Sequence, residues 1–240
     1  MPFPFSAEAL IEIDVGLRRT GVEPAAAGEL AAAVAALGGG LEVSGISCYP
    51  GHLRDDRDAI VAGLEAVSAD LEAAREALAA HGIACRRISG GSTATLLESH
   101  RTPMTEVRPG NYALLDRQEA RGAFGLDDCA LRILSTVVST AVPGRIVLDA
   151  GSKALSEAPP PPGASGFGAV LGHPEIAIEA LSEEHGHGVT DGGEALEVGS
   201  RVEVIPNHAC TCVNHQPMLY GVRGGQVVSE MRPRLRGALR

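Results

Sequence analysis

Between Asp55 and Ala80 the residues Ile60, Leu64, Val67, Leu71 and Leu78 recur at helical spacing, and a short apolar run stands on either side of them. A helix with one apolar face has to lay that face on something. The flanking runs, "LEVSGISCY" (41–49) and "IACRRISGG" (83–91), read as strands. Strand, long helix and strand in that order make a parallel β/α unit, because parallel neighbours need a crossover of this length. The same order precedes it. "LIEIDV" (10–15) reads as a buried strand, and "PAAAGELAAAVAAL" (24–37) as a helix with Pro24 in its first turn. "TEVRPGNYALLD" (105–116) is predicted to be the next strand.

The character changes near residue 120. "CALRILSTVVSTAV" (129–142) is rich in β-branched residues, and "RIVLDAG" (145–151) follows a Pro-Gly turn. "GSRVEVIP" (199–206) and "GVRGGQVVSEM" (221–231) are turn-linked strands, and "APPPPGASGFG" (158–168) is an irregular connector. The prediction is an α/β chain in two parts, with β/α units over 1–120 and a mostly-β domain over 121–240.

Several partners are excluded on charge and composition. A net charge of −10 argues against nucleic acid and against an anionic membrane surface. No apolar run approaches the roughly 20 residues of a membrane span. The opening "MPFPFSAEAL" has neither the basic start nor the apolar core of a signal peptide, so cytoplasm is the expected compartment. Cysteines at 48, 85, 129, 210 and 212 form no disulfide framework. Lys153 is the single lysine among 20 basic residues.

Candidate site residues cluster where strands are predicted to end. "SGGST" (89–93) and "RPGN" (108–111) are glycine turns whose N–H groups can cradle a phosphate, with Ser92 and Thr93 adding hydroxyls. Ordinary strand-to-helix turns have the same composition. Arg18 and Arg19 in "DVGLRRTG" are either a solvated pair or an anion contact at a strand's carboxyl end. Tyr49 and His52 in "CYPGH" belong to the same end, where a lone histidine is more often a hydrogen-bonded turn residue than a catalyst. In "VIPNHACTCVNH" (204–215), His208, Cys210 and Cys212 alternate, and an extended chain would put them on one side. That is the pattern of a strand face with small, soft side chains, or of a metal site. Thiolate with imidazole favours zinc over manganese or magnesium, and His185 and His187 are candidates for further ligands.

"EIDVGLRRTGV", "YPGH", "SGGST", "TEVRPGNY", "VLDAGSKALS", "GHPE", "LSEEHG" and "IPNHACTCVN" follow one another in an order and spacing that resemble the D-threonine aldolase and D-serine dehydratase family. The resemblance covers about residues 10–230. It implies a partial (β/α) barrel of the alanine-racemase type followed by a mostly-β C-terminal domain. It also implies a pyridoxal 5'-phosphate cofactor, with Arg19 on the ring substituents and Tyr49 beside the ring. Gly91, Ser92, Thr93, Gly110 and Asn111 match the phosphate cradle, and His52 is the catalytic candidate. His208 and Cys210 match the metal pair, with zinc favoured and manganese the alternative, and Cys212 becomes a strand-face passenger. The implied substrate is a small D-β-hydroxy amino acid, and the implied assembly for a complete enzyme is a homodimer.

One element of the family has no counterpart. Its cofactor-bearing lysine stands upstream of every matched segment, whereas Lys153 falls in "DAGSKALS". The expectation is therefore the C-terminal part of such a lyase, with four of the eight strands a barrel requires. The alternative is an inactive remnant that binds metal or a complementary N-terminal half.

Overall fold

Strands β1 (Ala7–Ile13), β2 (Leu41–Cys48), β3 (Arg87–Gly90) and β4 (Glu106–Val107) lie side by side in chain order, and each pairing is parallel. The structure is a computed structural model that describes residues 6–191 and 196–238. It divides into two units, Met1–Tyr112 with Arg121–Ala123, and Ala113–Ala120 with Phe124–Arg240.

In the first unit, helices α1 (Ala27–Ala36) and α2 (Arg57–Ala80) form the crossovers. Asp56 caps α2, its side chain accepting the Ala59 N–H at 2.9 Å. The helical spacing read from the sequence becomes a buried stripe of Ile60, Leu64, Val67, Leu71, Ala74 and Leu78. Val67, Leu71 and Leu78 share a core with Ile11, Ile13, Ile46 and Ile88 of the sheet. Each such side chain contributes roughly 1.5–3 kcal/mol by leaving water.

Several predicted elements are shorter than expected: the strand over 83–91 is confined to Arg87–Gly90 and that over 129–142 to Ile133–Ser139. The helix over 24–37 opens as a 3-10 turn at Pro24–Ala26 before α1 begins. The strand over 105–116 is confined to Glu106–Val107. Pro109 has no N–H to continue a ladder. Past Gly110 the Asn111 N–H binds Thr93 Oγ1 instead of a neighbouring strand.

The second unit holds an antiparallel sheet in the order β7-β10-β5-β6-β9-β8. Its strands are β5 (Ile133–Ser139), β6 (Arg145–Leu148), β7 (Ala169–Val170), β8 (Ile176–Leu181), β9 (Gly186–Thr190) and β10 (Arg201–Ile205). β7 and β8, at opposite ends of that order, also touch, which nearly closes the sheet on itself. Val137, Leu148, Ile178 and Val204 fill it. Helices α3 (Ser152–Leu155) and α4 (Ala209–His215) are short, and β11 (Leu219–Arg223) pairs with β12 (Gln226–Met231) as a separate hairpin. Among the described residues no helix is long and apolar enough to cross a membrane.

An acid-sensitive clamp holds the start of α2 in the first unit. Glu98, largely buried, accepts from Arg57 Nε at 2.6 Å and from Arg101 Nε at 2.7 Å. Those two bonds, Arg57 first, hold its carboxyl below the ordinary carboxylate value of 4.5. A depressed carboxyl stabilises the fold above its unfolded pKa, and the contribution disappears as pH falls through the folded value. Stability should therefore decline below about pH 4.5 and more gently in Glu98→Gln. Urea midpoints measured between pH 6 and 3 check this, and parallel slopes for the two proteins would refute it.

Candidate functional site

At the carboxyl end of β1 the chain turns on Asp14, whose Oδ1 accepts the N–H groups of Gly16 and Arg18, each at 3.0 Å. Those bonds hold Arg18 at φ 56, a left-handed conformation that few side chains adopt without such support. The next residue, Arg19, places its guanidinium 4.7 Å from the centre of the Tyr49 ring, which follows β2. Tyr49 lies back over Gly51, where a Cβ would come within 2.3 Å of the ring, so that position has room only for glycine. The exposed His52 ring stands over Gly16, with Nε2 3.1 Å from where a Cβ would be. Arg19, Tyr49 and His52, predicted separately, thus belong to one strand-end cluster.

The two glycine turns meet beside it. Gly91 takes φ +85, and Ser92 and Thr93 are buried behind it. Thr93 Oγ1 receives the Asn111 N–H at 3.0 Å, which ties the "SGGST" turn to the "RPGN" turn. Ser92 turns inward: its N–H donates to Thr95 Oγ1 at 3.0 Å, and its Oγ accepts the Thr95 N–H at 3.2 Å. A Cβ added at Gly110 would meet no atom within 4 Å, so space is open on that side of the joined turns. The Ser92 N–H and hydroxyl, the Thr93 hydroxyl and the Asn111 N–H are thus engaged in building the joined turns, which stand at the ends of parallel strands, where ligands of such sheets usually sit. Cys48, at the end of β2, is a core thiol pushed up to about 11 by burial and takes no part.

In the second unit, residues 208–212 are not the extended strand that the alternation predicts. His208 is the N-cap of α4, and Cys210 and Cys212 lie within the helix. The cause is Asp116, fully buried, whose Oδ2 accepts the Ala209 N–H at 2.8 Å and so satisfies the first turn of the helix. Cys212 is consequently a core residue, its Sγ 3.2 Å from Leu155 O, rather than a passenger on a strand face. Burial pushes its thiol up to about 12.

His208 and Cys210 remain together. His208 Nδ1 lies 3.2 Å from Asp116 Oδ2, and the Cys210 side chain is near enough to act on the ring's charge. Asp116 first, then Cys210, pushes the imidazole up to about 10, and His208 in turn lowers the Cys210 thiol. Burial would raise Asp116, but hydrogen bonds from His208, Ala209 and Glu119 outweigh it and hold the carboxyl low. A carboxylate behind an imidazole, with a thiol beside it, becomes the donor chemistry of a soft divalent ion once the ligands lose their protons. His185 and His187 do not complete the set. His187 Nε2 pairs with Ser182 Oγ at 2.8 Å, and the described residues form no cluster of three metal-ligating side chains.

Asp116 is not marked out in the sequence because it stands 92 residues from His208, in a segment whose pattern predicts a strand. A lone aspartate in "LLDRQE" carries no local sign of that pairing.

Comparison with known proteins gives these features a context. Residues 5–118 match the family described as "Alanine racemase, N-terminal domain", and residues 130–222 match the one described as "Putative serine dehydratase domain". A 3-hydroxy-D-aspartate aldolase of Paracoccus denitrificans is 33% identical over 228 residues, which are 90% of this chain and 57% of the aldolase. The chain thus spans little more than half of that relative's length. A D-threonine aldolase structure from Filomicrobium marinum superposes with a TM-score of 0.83 at 29% identity, covering 98% of this chain and 64% of that one. A cysteine-to-alanine mutant of a D-threo-3-hydroxyaspartate dehydratase, solved in its metal-free form, gives 0.83 at 30% identity, with 94% and 65% covered.

Proposed function

We propose that this chain, which belongs to the D-threonine aldolase and D-serine dehydratase family, carries pyridoxal-phosphate and divalent-metal sites of a lyase acting on small D-β-hydroxy amino acids. The observation that carries the reading is the His208–Cys210 pair backed by the buried Asp116 carboxylate. With Nδ1 held by Asp116, Nε2 would be the nitrogen offered to an ion, whose binding has to displace the proton that Asp116 and Cys210 help the ring retain, and a thiolate ligand would select zinc over manganese.

Bound pyridoxal phosphate supplies an electron sink at the substrate's α-carbon, and the metal supplies polarisation of its β-hydroxyl. Gly91, Ser92, Thr93, Gly110 and Asn111 would hold the phosphate, and Arg19 the ring substituents. Tyr49 gives an aromatic wall, and the exposed His52 is the residue proposed to move a proton.

One observation favours a second reading, in which the chain binds these groups without turning substrate over by itself. Lys153 is exposed, and its Nζ lies 2.8 Å from Glu183 and 2.7 Å from Glu184, which keep it protonated. A lysine must be neutral to attack a carbonyl.

Titration with pyridoxal phosphate, followed by absorbance, tests both readings. Saturable binding is expected, about tenfold weaker in Thr93→Val, which loses the hydroxyl joining the two turns. Borohydride treatment should leave Lys153 unmodified. Equal affinity in Thr93→Val would remove the cradle from the reading, and a labelled Lys153 would remove the second one.

A further inference from the structure

We propose that Arg117 and Asn207 are positioning residues that use the proline- and glycine-rich connector 158–168 to fix the direction of the His208 imidazole. The inference rests on reading His208 and Cys210 as a metal pair. Its basis is a set of bonds that converge on one turn. The segment 116–118 runs beside 206–209: the Arg117 N–H donates to Pro206 O at 3.0 Å, and the Gln118 N–H to Asn207 O at 3.2 Å. Asp116 adds its bonds to the Ala209 N–H and to His208. His208 is therefore carried by a short two-stranded clamp.

The clamp is seated on the connector by Asn207 and Arg117, with Gln118 Nε2 adding one bond to Pro159 O at 3.2 Å. Asn207, 1% exposed, donates through Nδ2 to Ala158 O and Gly166 O, both at 2.9 Å. Arg117 Nη1 lies 2.7 Å from Ser165 O, 3.0 Å from Gly168 O and 3.3 Å from Asn207 Oδ1. Each of these acceptors is neutral and each is reached by the same Nη1, so the half-buried guanidinium gathers oxygens at one nitrogen and is not half of an ion pair. The connector cannot yield easily on its other side. Gly166 has φ +76, and a Cβ there would come within 2.7 Å of Ile178 O.

Asn207 immediately precedes His208, whose extended backbone (φ −142, ψ 119) makes the turn into α4. A rotation at Asn207 would swing the imidazole away from Cys210 although both ligand residues are still present. Groups that orient a metal-binding histidine typically alter affinity by about 10–100-fold when replaced.

The test titrates the full chain with cobalt(II) and reads the thiolate-to-cobalt absorption band, with circular dichroism as the check on folding. Arg117→Lys keeps the charge and loses the planar guanidinium whose Nη1 gathers the connector carbonyls, and Asn207→Asp keeps the volume and loses both donors. Each is expected to bind cobalt about tenfold more weakly, with a displaced band and an unchanged dichroism spectrum. Arg145→Ala, which loses an exposed ion pair to Glu179 and no bond of the clamp or connector, should bind as the parent does. Parental affinity and band in both variants, with binding abolished in His208→Ala, would overturn the inference and leave the metal pair standing. Unfolding of both variants would make the two residues structural and also overturn it. A parent chain that binds no cobalt would remove the metal reading and this inference together.

Discussion

His208→Ala and Cys210→Ala are each expected to reduce divalent-metal binding by at least about a hundredfold, since replacing groups that merely orient a ligand already costs about 10–100-fold. With two protein ligands in the pair, loss of either leaves a single donor that competes poorly with water. Zinc competition against a chromophoric chelator gives the affinities and the stoichiometry, expected near one ion per chain. Cys212→Ser is the informative control. Its thiol is fully buried against Leu155 O, so the variant should keep its metal while losing about 1–2 kcal/mol of stability to a buried hydroxyl. Equal metal loss in all three variants would point to a three-ligand site, and retained binding in His208→Ala would end the pairing of His208 with Cys210.

Removing the carboxylate behind the pair should have a comparably large effect on the fold. Asp116→Ala leaves the Ala209 N–H, the Glu119 N–H and His208 Nδ1 without their shared acceptor in a buried place. At about 1–3 kcal/mol for each buried group left unpaired, and with partial relief from water, a loss of about 3 kcal/mol is expected. The first turn of α4 should loosen, and metal affinity should fall with it. Asp116→Asn keeps one acceptor and should lie between the parent and the alanine variant. Urea unfolding gives the stability, and amide exchange at 209–212 reports the helix start. An Asp116→Ala protein with the parental midpoint would mean that α4 is held by its packing alone.

The apolar spacing from Ile60 to Leu78 determined by itself that α2 would be a helix with one buried face, because helical periodicity is a property of neighbours three and four residues apart. The alternation of strand and helix likewise determined the parallel sheet of the first unit. Within that frame the residue types at the strand ends, Arg19, Tyr49 and the glycine turns, were visible as candidates. Their grouping was not, since the approach of Arg19 to Tyr49 depends on the turn at Asp14 and on the space left by Gly51. The segment at His208 marks the limit. Its two-residue alternation suits a strand and is no obstacle to a helix, so local pattern had no means of choosing. Asp116 made the choice from 93 residues away by accepting the Ala209 N–H, a bond that exists only once the chain has folded.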